Sequence, residues 1–361
     1  MVYIADADSK LPNLAVMRMS TYFRALGKPV CLVTPDTKRD LFNHRLGDEV
    51  YGSSIFSTRK SAAARAQIEG QWGYVKWGGT GVSVGSSLAE IDKGVDWDTV
   101  APDYSLYSDF QASIGFLTRG CRLRCGFCVV PKKEGKPRRA STIERLYRGA
   151  PYPKHLHLLD NDAFAKPLRD FWYEAIEELN RERFKVCFSQ GINVRLIDDE
   201  AARMIASVRY YGNDFDKRIL YTAWDNYRDE AIFREGVARL ARAGVPPHRL
   251  RVFMLVGYRE GETWEEIFYR FSELVAMRCE PYVMVYGDDE AAPELLAFER
   301  WSNHHLWRSV PWPEYGRVAP YIDRRIRDDA RKVTDDAWRR VVGRMLDAPA
   351  PQPPSETTDE L

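Results

Sequence analysis

The chain contains three closely spaced cysteines in the stretch Gly120-Cys121-Arg122-Leu123-Arg124-Cys125-Gly126-Phe127-Cys128. Three thiolates at this spacing can surround one face of an iron–sulfur cluster, which usually takes four cysteine ligands. The other cysteines, Cys31, Cys187 and Cys279, are isolated in the sequence. A cluster with three protein ligands leaves one iron open to an outside molecule, and an open coordination position is typical of catalytic metal sites.

Zinc binding and disulfide formation are the alternatives for these cysteines. A zinc site needs a fourth Cys or His at short spacing, and the next candidates along the chain are His155 and His157. A disulfide with one spare thiol is disfavoured because the chain is expected to be cytosolic, where thiols stay reduced. The spacing therefore favours an iron–sulfur cluster bound by Cys121, Cys125 and Cys128.

The cysteine spacing, with Phe127 just before the last cysteine, resembles that of the radical SAM superfamily. The flanks Thr118-Arg119-Gly120 and Val129-Val130-Pro131-Lys132-Lys133-Glu134-Gly135 resemble the cluster loops of members with an N-terminal cobalamin-type domain. The resemblance implies a 4Fe–4S cluster that reductively cleaves S-adenosylmethionine to a 5′-deoxyadenosyl radical. It also implies an electron donor such as flavodoxin or ferredoxin, and a substrate that is a small molecule, a peptide or a nucleotide.

Composition is that of an ordinary soluble protein. The 361 residues are 45% hydrophobic and 29% charged, and 53 basic residues nearly balance 52 acidic ones. No global charge attracts nucleic acid or anionic lipid, so nucleic acid is not indicated as a partner. The first residues lack a basic segment followed by a long apolar run, and no stretch approaches a membrane span. We therefore expect a cytoplasmic protein without a membrane partner.

Residues 1–100 show strand and helix patterns in alternation. Short apolar runs predict strands at residues 2–5, 30–33, 50–56 and 74–77, and helical periodicity predicts helices at 14–26 and 57–68. Alternation of this kind predicts a doubly wound parallel sheet, here a Rossmann-like α/β domain. Residues 96–109, with Pro102 and several Tyr and Asp residues, are predicted to form the linker to a second domain.

The alternation continues with a longer period over residues 101–305. Strands are predicted at 112–117, 155–159, 185–189, 218–223, 251–256 and 282–286, and helices at 168–179, 200–208, 229–243, 264–277 and 294–301. Six such units predict a partial (βα)6 barrel of the TIM type, in which chemistry lies at the carboxyl ends of the strands. An Arg- and Asp-rich helical extension is predicted at 306–346 and a disordered tail at 347–361.

Polar residues follow the second predicted barrel strand at Asp160, Asn161 and Asp162. Carboxylate and amide oxygens at a strand end can accept hydrogen bonds from a cationic amino group. The resemblance implies that such an acidic turn, followed by an aromatic residue such as Phe164, binds the amino group of S-adenosylmethionine. The alternative is an acidic turn that caps the next helix.

Further cofactor-binding residues are expected at the ends of the next three strands. Gln190 and Asp225 are candidates for the ribose hydroxyls or the methionine carboxylate, with Asp225 alternatively capping a helix. The resemblance implies that Val256 and Gly257, on the fifth strand, flank the adenine, and that Phe127 packs against it. Thr263 and Glu266 also form a predicted capping box at the start of the next helix.

The N-terminal domain, with its loop Gly78-Gly79-Thr80-Gly81, resembles a cobalamin-binding domain but departs from it after the first strand. The family's Asp-x-His-x-x-Gly pattern is replaced by Asp8-Ser9-Lys10-Leu11-Pro12-Asn13, with Lys10 at the position of the cobalt-ligating His. The His-x-x-Gly at His44 follows the second strand and is interpreted as coincidental. We therefore expect cobalamin bound without a protein ligand, or a vestigial or substrate-binding domain.

Three other functions compete with the general radical SAM interpretation. One is a cobalamin-dependent radical SAM methyltransferase, and another is a nucleic-acid-modifying radical SAM enzyme that uses the Arg-rich C-terminal region. The third is a non-catalytic iron–sulfur or metal-binding protein. A methylthiotransferase is disfavoured because Cys31 alone cannot supply the second cysteine set of those enzymes.

Overall fold

The computed structural model describes residues 1–38, 48–287, 291–318 and 326–346. The segment around His44 and the expected tail at 347–361 lie outside these ranges. The strands are β1 (Val2–Asp6), β2 (Val30–Val33), β3 (Glu49–Ser53), β4 (Lys76–Gly78), β5 (Ser113–Gly115), β6 (Thr118–Arg119), β7 (Arg138–Arg139), β8 (His155–Leu158), β9 (Lys185–Phe188), β10 (Leu220–Ala223), β11 (Leu250–Val256) and β12 (Glu280–Val285). The helices are α1 (Leu14–Ala25), α2 (Arg59–Trp72), α3 (Val130–Lys133), α4 (Ile143–Leu146), α5 (Arg169–Arg181), α6 (Asp199–Ser207), α7 (Glu230–Arg242), α8 (Trp264–Ala276), α9 (Pro293–Asn303), α10 (Trp312–Val318) and α11 (Asp328–Leu346).

Each predicted strand and helix has a counterpart in this list, and the mixed α/β class with parallel sheets is confirmed. The chain divides into two compact units. The first consists mainly of Met1–Ala223 and Ala231–Arg251, and the second of Trp224–Glu230, Val252–Tyr286 and the C-terminal residues. In the described ranges, no helix has both the length and the apolar character needed to cross a bilayer.

The first unit begins with four parallel strands in the order β2-β1-β3-β4. The central strand β1 is buried on both faces, as expected for a parallel sheet covered by helices. Its Val2 and Ile4 pack with Phe23 of α1, while Tyr3 packs on the other face against Trp72 of α2. Helix α1 begins after Asn13, whose side chain accepts hydrogen bonds from the first turn.

A second parallel sheet in the same unit has the order β5-β8-β9. Phe164 contacts Phe188 of β9 and Trp172 of α5, which joins the sheet to its covering helix. An antiparallel pair, β6 with β7, follows β5 directly, and Thr118 faces Arg139 while Arg119 faces Arg138. This pair was absent from the prediction, and it encloses the three cysteines between its strands.

The second unit contains neighbouring strands β11 and β12 together with helices α8 to α11. Helix α8 begins with the predicted capping box: Thr263 and Glu266 each accept a hydrogen bond from the other's backbone N–H. Its core is aromatic, with Phe268 of α8 against Phe298 of α9 and Trp338 of α11. Helices α10 and α11 lie within residues 306–346, where the sequence predicted a helical extension.

Candidate functional site

The cysteine loop, residues 120–137 between β6 and β7, is pinned at both ends. The backbone N–H of Cys121 donates to the carbonyl of Gly135 at 3.1 Å. Gly120 has φ +86°, and a Cβ on this residue would lie 2.3 Å from the carbonyl oxygen of Lys136. Only glycine fits such an approach between the two arms of the loop. The arms are therefore held together at the point where the cysteines begin.

The three loop cysteines are not joined in disulfide bonds, and each is partly exposed. Burial raises the pKa of Cys121 to about 11, and the Asp162 carboxylate and the Cys128 and Cys125 thiols raise it further. The backbone N–H of Leu123 donates to Cys121 Sγ at 3.4 Å. Metal binding requires the thiols to lose their protons, and the positive charge of a metal centre then offsets the mutual repulsion of the thiolates.

Asp162 forms the strongest contact to this loop. Its side chain is fully buried and accepts three hydrogen bonds from Arg122, from Nε at 2.7 Å, from Nη2 at 2.9 Å and from the backbone N–H at 3.0 Å. A two-pronged arginine–carboxylate pair fixes orientation as well as distance. Because Arg122 lies between Cys121 and Cys125, this pair sets the position of the first part of the loop.

Asp160, at the end of β8, holds the residues just before the loop. Its carboxylate accepts hydrogen bonds from the backbone N–H and the hydroxyl of Thr118, at 2.5 and 2.6 Å, and from the N–H of Leu117 at 3.2 Å. Burial raises the pKa of Asp160 to about 6, although the bonds from Thr118 and Leu117 act in the opposite direction. Both oxygens are thus engaged by the chain leading into β6.

Glu134 closes the far side of the loop. It accepts hydrogen bonds from Arg119 Nη1 at 2.7 Å and from the backbone N–H of Gly120 at 3.0 Å. Asn161 Nδ2 donates to the same carboxylate at 3.3 Å. Asp160, Asn161 and Asp162 therefore each contact the cysteine loop or its flanks. Their role toward the amino group of a cofactor stays a prediction.

The remaining predicted residues of the first unit are more dispersed in sequence. Gln190 is exposed just after β9, and Phe127 is half-buried in the cysteine loop. Phe164 is buried with φ +64°, in contact with Trp172, so it belongs to the core behind the acidic turn. The cofactor contacts proposed for Phe127 and Gln190 stay predictions.

The second unit contains the other three predicted residues. The Asp225 carboxylate accepts a hydrogen bond from the backbone N–H of Leu255 at 3.0 Å, and it is Asn226 that caps the following 3-10 helix. Val256 is buried, and Gly257 has φ +77° and donates its N–H to Glu262 at 2.8 Å.

Arg270 organises these strand ends and was not predicted. Its side chain is fully buried and pairs with Glu262 at 2.6 Å. Its Nη1 donates to the carbonyls of Trp224, Asp225 and Leu255 at distances of 3.0 to 3.1 Å. The ends of these segments are therefore held by one guanidinium from α8.

The donor set of the cysteine loop fits an iron–sulfur cluster. Within the described ranges, no three His, Cys, Asp or Glu side chains surround a single-ion site. In a 4Fe–4S cluster each thiolate binds a different iron, so the ligands need not converge on one point. Cys187 and Cys279 are buried, and burial raises the pKa of each to about 12, which makes them poor ligands.

The crevice of the N-terminal sheet is filled by the protein's own side chains. In an open parallel sheet, ligands bind where the strand order reverses, here beyond β1 and β3. Asp6, at the end of β1, accepts a hydrogen bond from the hydroxyl of Tyr107 at 2.6 Å. Asn13 Nδ2 donates to Ser53, at the end of β3, at 3.0 Å.

Backbone N–H groups in the loop after β3 also form hydrogen bonds within the protein. The Asp8 carboxylate accepts hydrogen bonds from the backbone N–H of Ile55 at 2.8 Å and of Phe56 at 3.0 Å. A Cβ on Gly79 or Gly81 would lie within 2.3 Å of a backbone oxygen, so these glycines serve close packing. The residues at this crevice therefore do not fit a cobalamin site.

Sequence inspection missed Arg122 and Glu134, which hold the loop in place. Charged residues between and beside the three cysteines were a usable signal for both.

Neither known protein families nor curated proteins yield a match to this chain.

Proposed function

We propose that this protein is a radical SAM enzyme. In this proposal the N-terminal sheet is Rossmann-like, and β5 with β8 to β12 forms a partial (βα)6 barrel. Cys121, Cys125 and Cys128 hold a 4Fe–4S cluster. When bound, such a cluster supplies the electron that breaks the C5′–S bond of S-adenosylmethionine, giving methionine and a 5′-deoxyadenosyl radical that removes hydrogen from a substrate.

The observation that carries the proposal is the pinned cysteine loop. Arg122, between two of the cysteines, is locked to the buried Asp162 through three hydrogen bonds. Glu134 and Asp160 hold the two flanks in the same way. A loop fixed by buried carboxylates presents its thiols in a set geometry, as a site that must orient a cofactor requires.

Individual residues then have distinct tasks. The thiols bind the cluster, the acidic turn after β8 keeps the loop in place, and Asn161 is the member of that turn proposed to face the cofactor's amino group. Asp225 and Gly257 lie on segments ordered by Arg270, which supports their proposed contacts with the ribose and the adenine. No step is assigned to cobalamin, because Asp6, Asp8 and Tyr107 occupy the crevice.

Anaerobic reconstitution tests the proposal directly. The protein is supplied with iron and sulfide, then with S-adenosylmethionine and dithionite, and 5′-deoxyadenosine is measured by mass spectrometry. We expect about four irons per chain and release of 5′-deoxyadenosine. The Cys125→Ala variant should lose both, whereas Cys31→Ala, at an exposed and isolated cysteine, should keep both.

Two outcomes would contradict the proposal. A protein that binds the cluster but never yields 5′-deoxyadenosine would be a non-catalytic iron–sulfur protein. A protein that takes up one zinc ion instead of iron and sulfide would use the cysteines structurally.

A further inference from the structure

Asp98 lies in the segment between the N-terminal sheet and β5, and its carboxylate meets three arginines. The distances are 3.1 Å to Arg18 Nη1, 3.1 Å to Arg119 Nε and 3.2 Å to Arg138 Nη2. Arg18 belongs to α1 of the N-terminal sheet, whereas Arg119 and Arg138 belong to β6 and β7. One carboxylate thus joins α1 to both strands that enclose the cysteine loop.

The positions of Arg119 and Arg138 give this carboxylate a specific task. The two residues face each other across the β6–β7 pair. Like charges directly opposite each other on paired strands repel and destabilise the pair. Asp98 stands between them and the buried Arg18, so it offsets a repulsion that would otherwise open the base of the loop.

The three arginines also affect the pKa of Asp98. Burial alone would raise the pKa of Asp98, but Arg119, Arg18 and Arg138 outweigh burial and lower it. Asp98 is therefore charged at neutral pH. A second contact also joins the cysteine loop to the N-terminal part of the chain. Lys133 of α3 donates a hydrogen bond to the hydroxyl of Thr80, in the loop after β4, at 2.7 Å.

We propose that Asp98 is a positioning residue for the cysteine loop, and that the N-terminal sheet serves to hold this loop rather than to bind a cofactor of its own. The proposal rests on the proposed function for its meaning in catalysis. At the crevice, Asp6 and Tyr107 are hydrogen-bonded to each other, and the contacts of Asp98 give the N-terminal part of the chain a different role.

The test uses the full-length protein in two forms. In the metal-free protein, the rates at which iodoacetamide modifies Cys121, Cys125 and Cys128 are followed by peptide mass spectrometry, with buried Cys187 as internal reference. In the reconstituted protein, the rate at which a chelator removes iron is measured. We expect Asp98→Ala and Asp98→Asn to raise both rates severalfold.

Two further variants separate the effect of losing the Asp98 charge from a general destabilisation of the protein. Asp103→Asn removes a carboxylate of the same segment that contacts α1 through Ser20 and Arg24, and it should leave the loop rates unchanged. Adding Arg138→Gln to Asp98→Ala removes one of the facing charges and should restore slow modification. A purely structural loss at Asp98 would not be rescued in this way.

The outcomes are distinct. Wild-type rates in Asp98→Asn, or a double variant no slower than Asp98→Ala, would overturn the proposal. If Asp98→Ala also exposes Cys187, the isosteric Asp98→Asn decides. Failure of the wild-type protein to take up a cluster would count against the proposed function, while the metal-free modification rates would still test Asp98.

Discussion

Asp162 shows how single side chains prepare the candidate site before any cofactor is present. Its carboxylate is fully buried, and its partner Arg122 is mostly buried with 22% of its side chain exposed. Burying a carboxylate is costly unless it is paired and hydrogen-bonded. Asp162 accepts three hydrogen bonds from one residue of the loop, and these bonds offset the cost of its burial while they fix the position of Arg122.

Replacing Asp162 with Ala should leave Arg122 without its partner. We expect the free energy of unfolding to fall by about 2 to 3 kcal/mol, below the range for fully buried pairs because Arg122 reaches solvent. Iron content after reconstitution should fall with it, and both are measured by chemical denaturation and metal analysis. Asp199→Ala is the control, since its pairs with Arg239 and Arg242 are exposed and stretched to 3.7 Å. An Asp162→Ala protein with normal iron content would contradict this account.

Sequence inspection selected residues 160–162 from their position after a predicted strand, and the structure places all three against the cysteine loop. It did not identify Arg122 and Glu134 as their counterparts, nor the three arginines that contact Asp98. Which charge pairs with which depends on chain segments that meet only after folding. Asp98 and Arg138, for example, are 40 positions apart.

At the scale of elements, the periodic segments were predictable and the short ones were not. Short apolar runs located β1 and β11, and helical periodicity located α8, each within a residue or two. Strands β6 and β7 have two residues each, too few for any alternation to appear. The residues that contact this pair, Asp98 and Glu134, lie outside its two strands, so no local pattern in the strands announces it.

Gly120 offers a sharp test of that pairing because Gly135 provides a matched control. Both have positive φ, +86° and +75°, but only a Cβ on Gly120 meets a backbone oxygen, whereas nothing lies within 4 Å at Gly135. Gly135→Ala should lower the free energy of unfolding by about 1 kcal/mol, because the left-handed conformation is unfavourable for alanine. Gly120→Ala adds a clash that must displace one arm of the loop. We expect a larger drop in melting temperature and loss of cluster uptake only for Gly120→Ala; equal behaviour of the two variants would refute the tight pairing.

For the molecule as a whole, two buried groups of the first unit that titrate in the acidic range act in opposite directions on stability. His157 of β8 is buried beside Phe110 and Phe215, and its Nδ1 lies 3.1 Å from Ser189 Oγ. Burial lowers its pKa to about 4, whereas burial raises the pKa of Asp160 to about 6. Between pH 6.5 and 4 the unfolded chain protonates the histidine and the folded chain does not, so His157 makes stability fall as the pH drops. Asp160 has the reverse effect, because its folded form takes up a proton at higher pH than its unfolded form does.

The pH dependence of the wild-type protein should therefore be shallow in this window and should hide both contributions. Replacing His157 with Asn keeps a polar group near Ser189 and removes the titration. The difference in unfolding free energy between wild type and His157→Asn should then shrink by about 3 kcal/mol from pH 6.5 to pH 4, at 1.36 kcal/mol per pKa unit. Urea denaturation at several pH values measures this difference. His248→Asn, at an exposed histidine, should show no such change. A constant difference for His157→Asn would mean that the buried imidazole accepts a proton in the folded state, and that the interior around β8 is accessible to water.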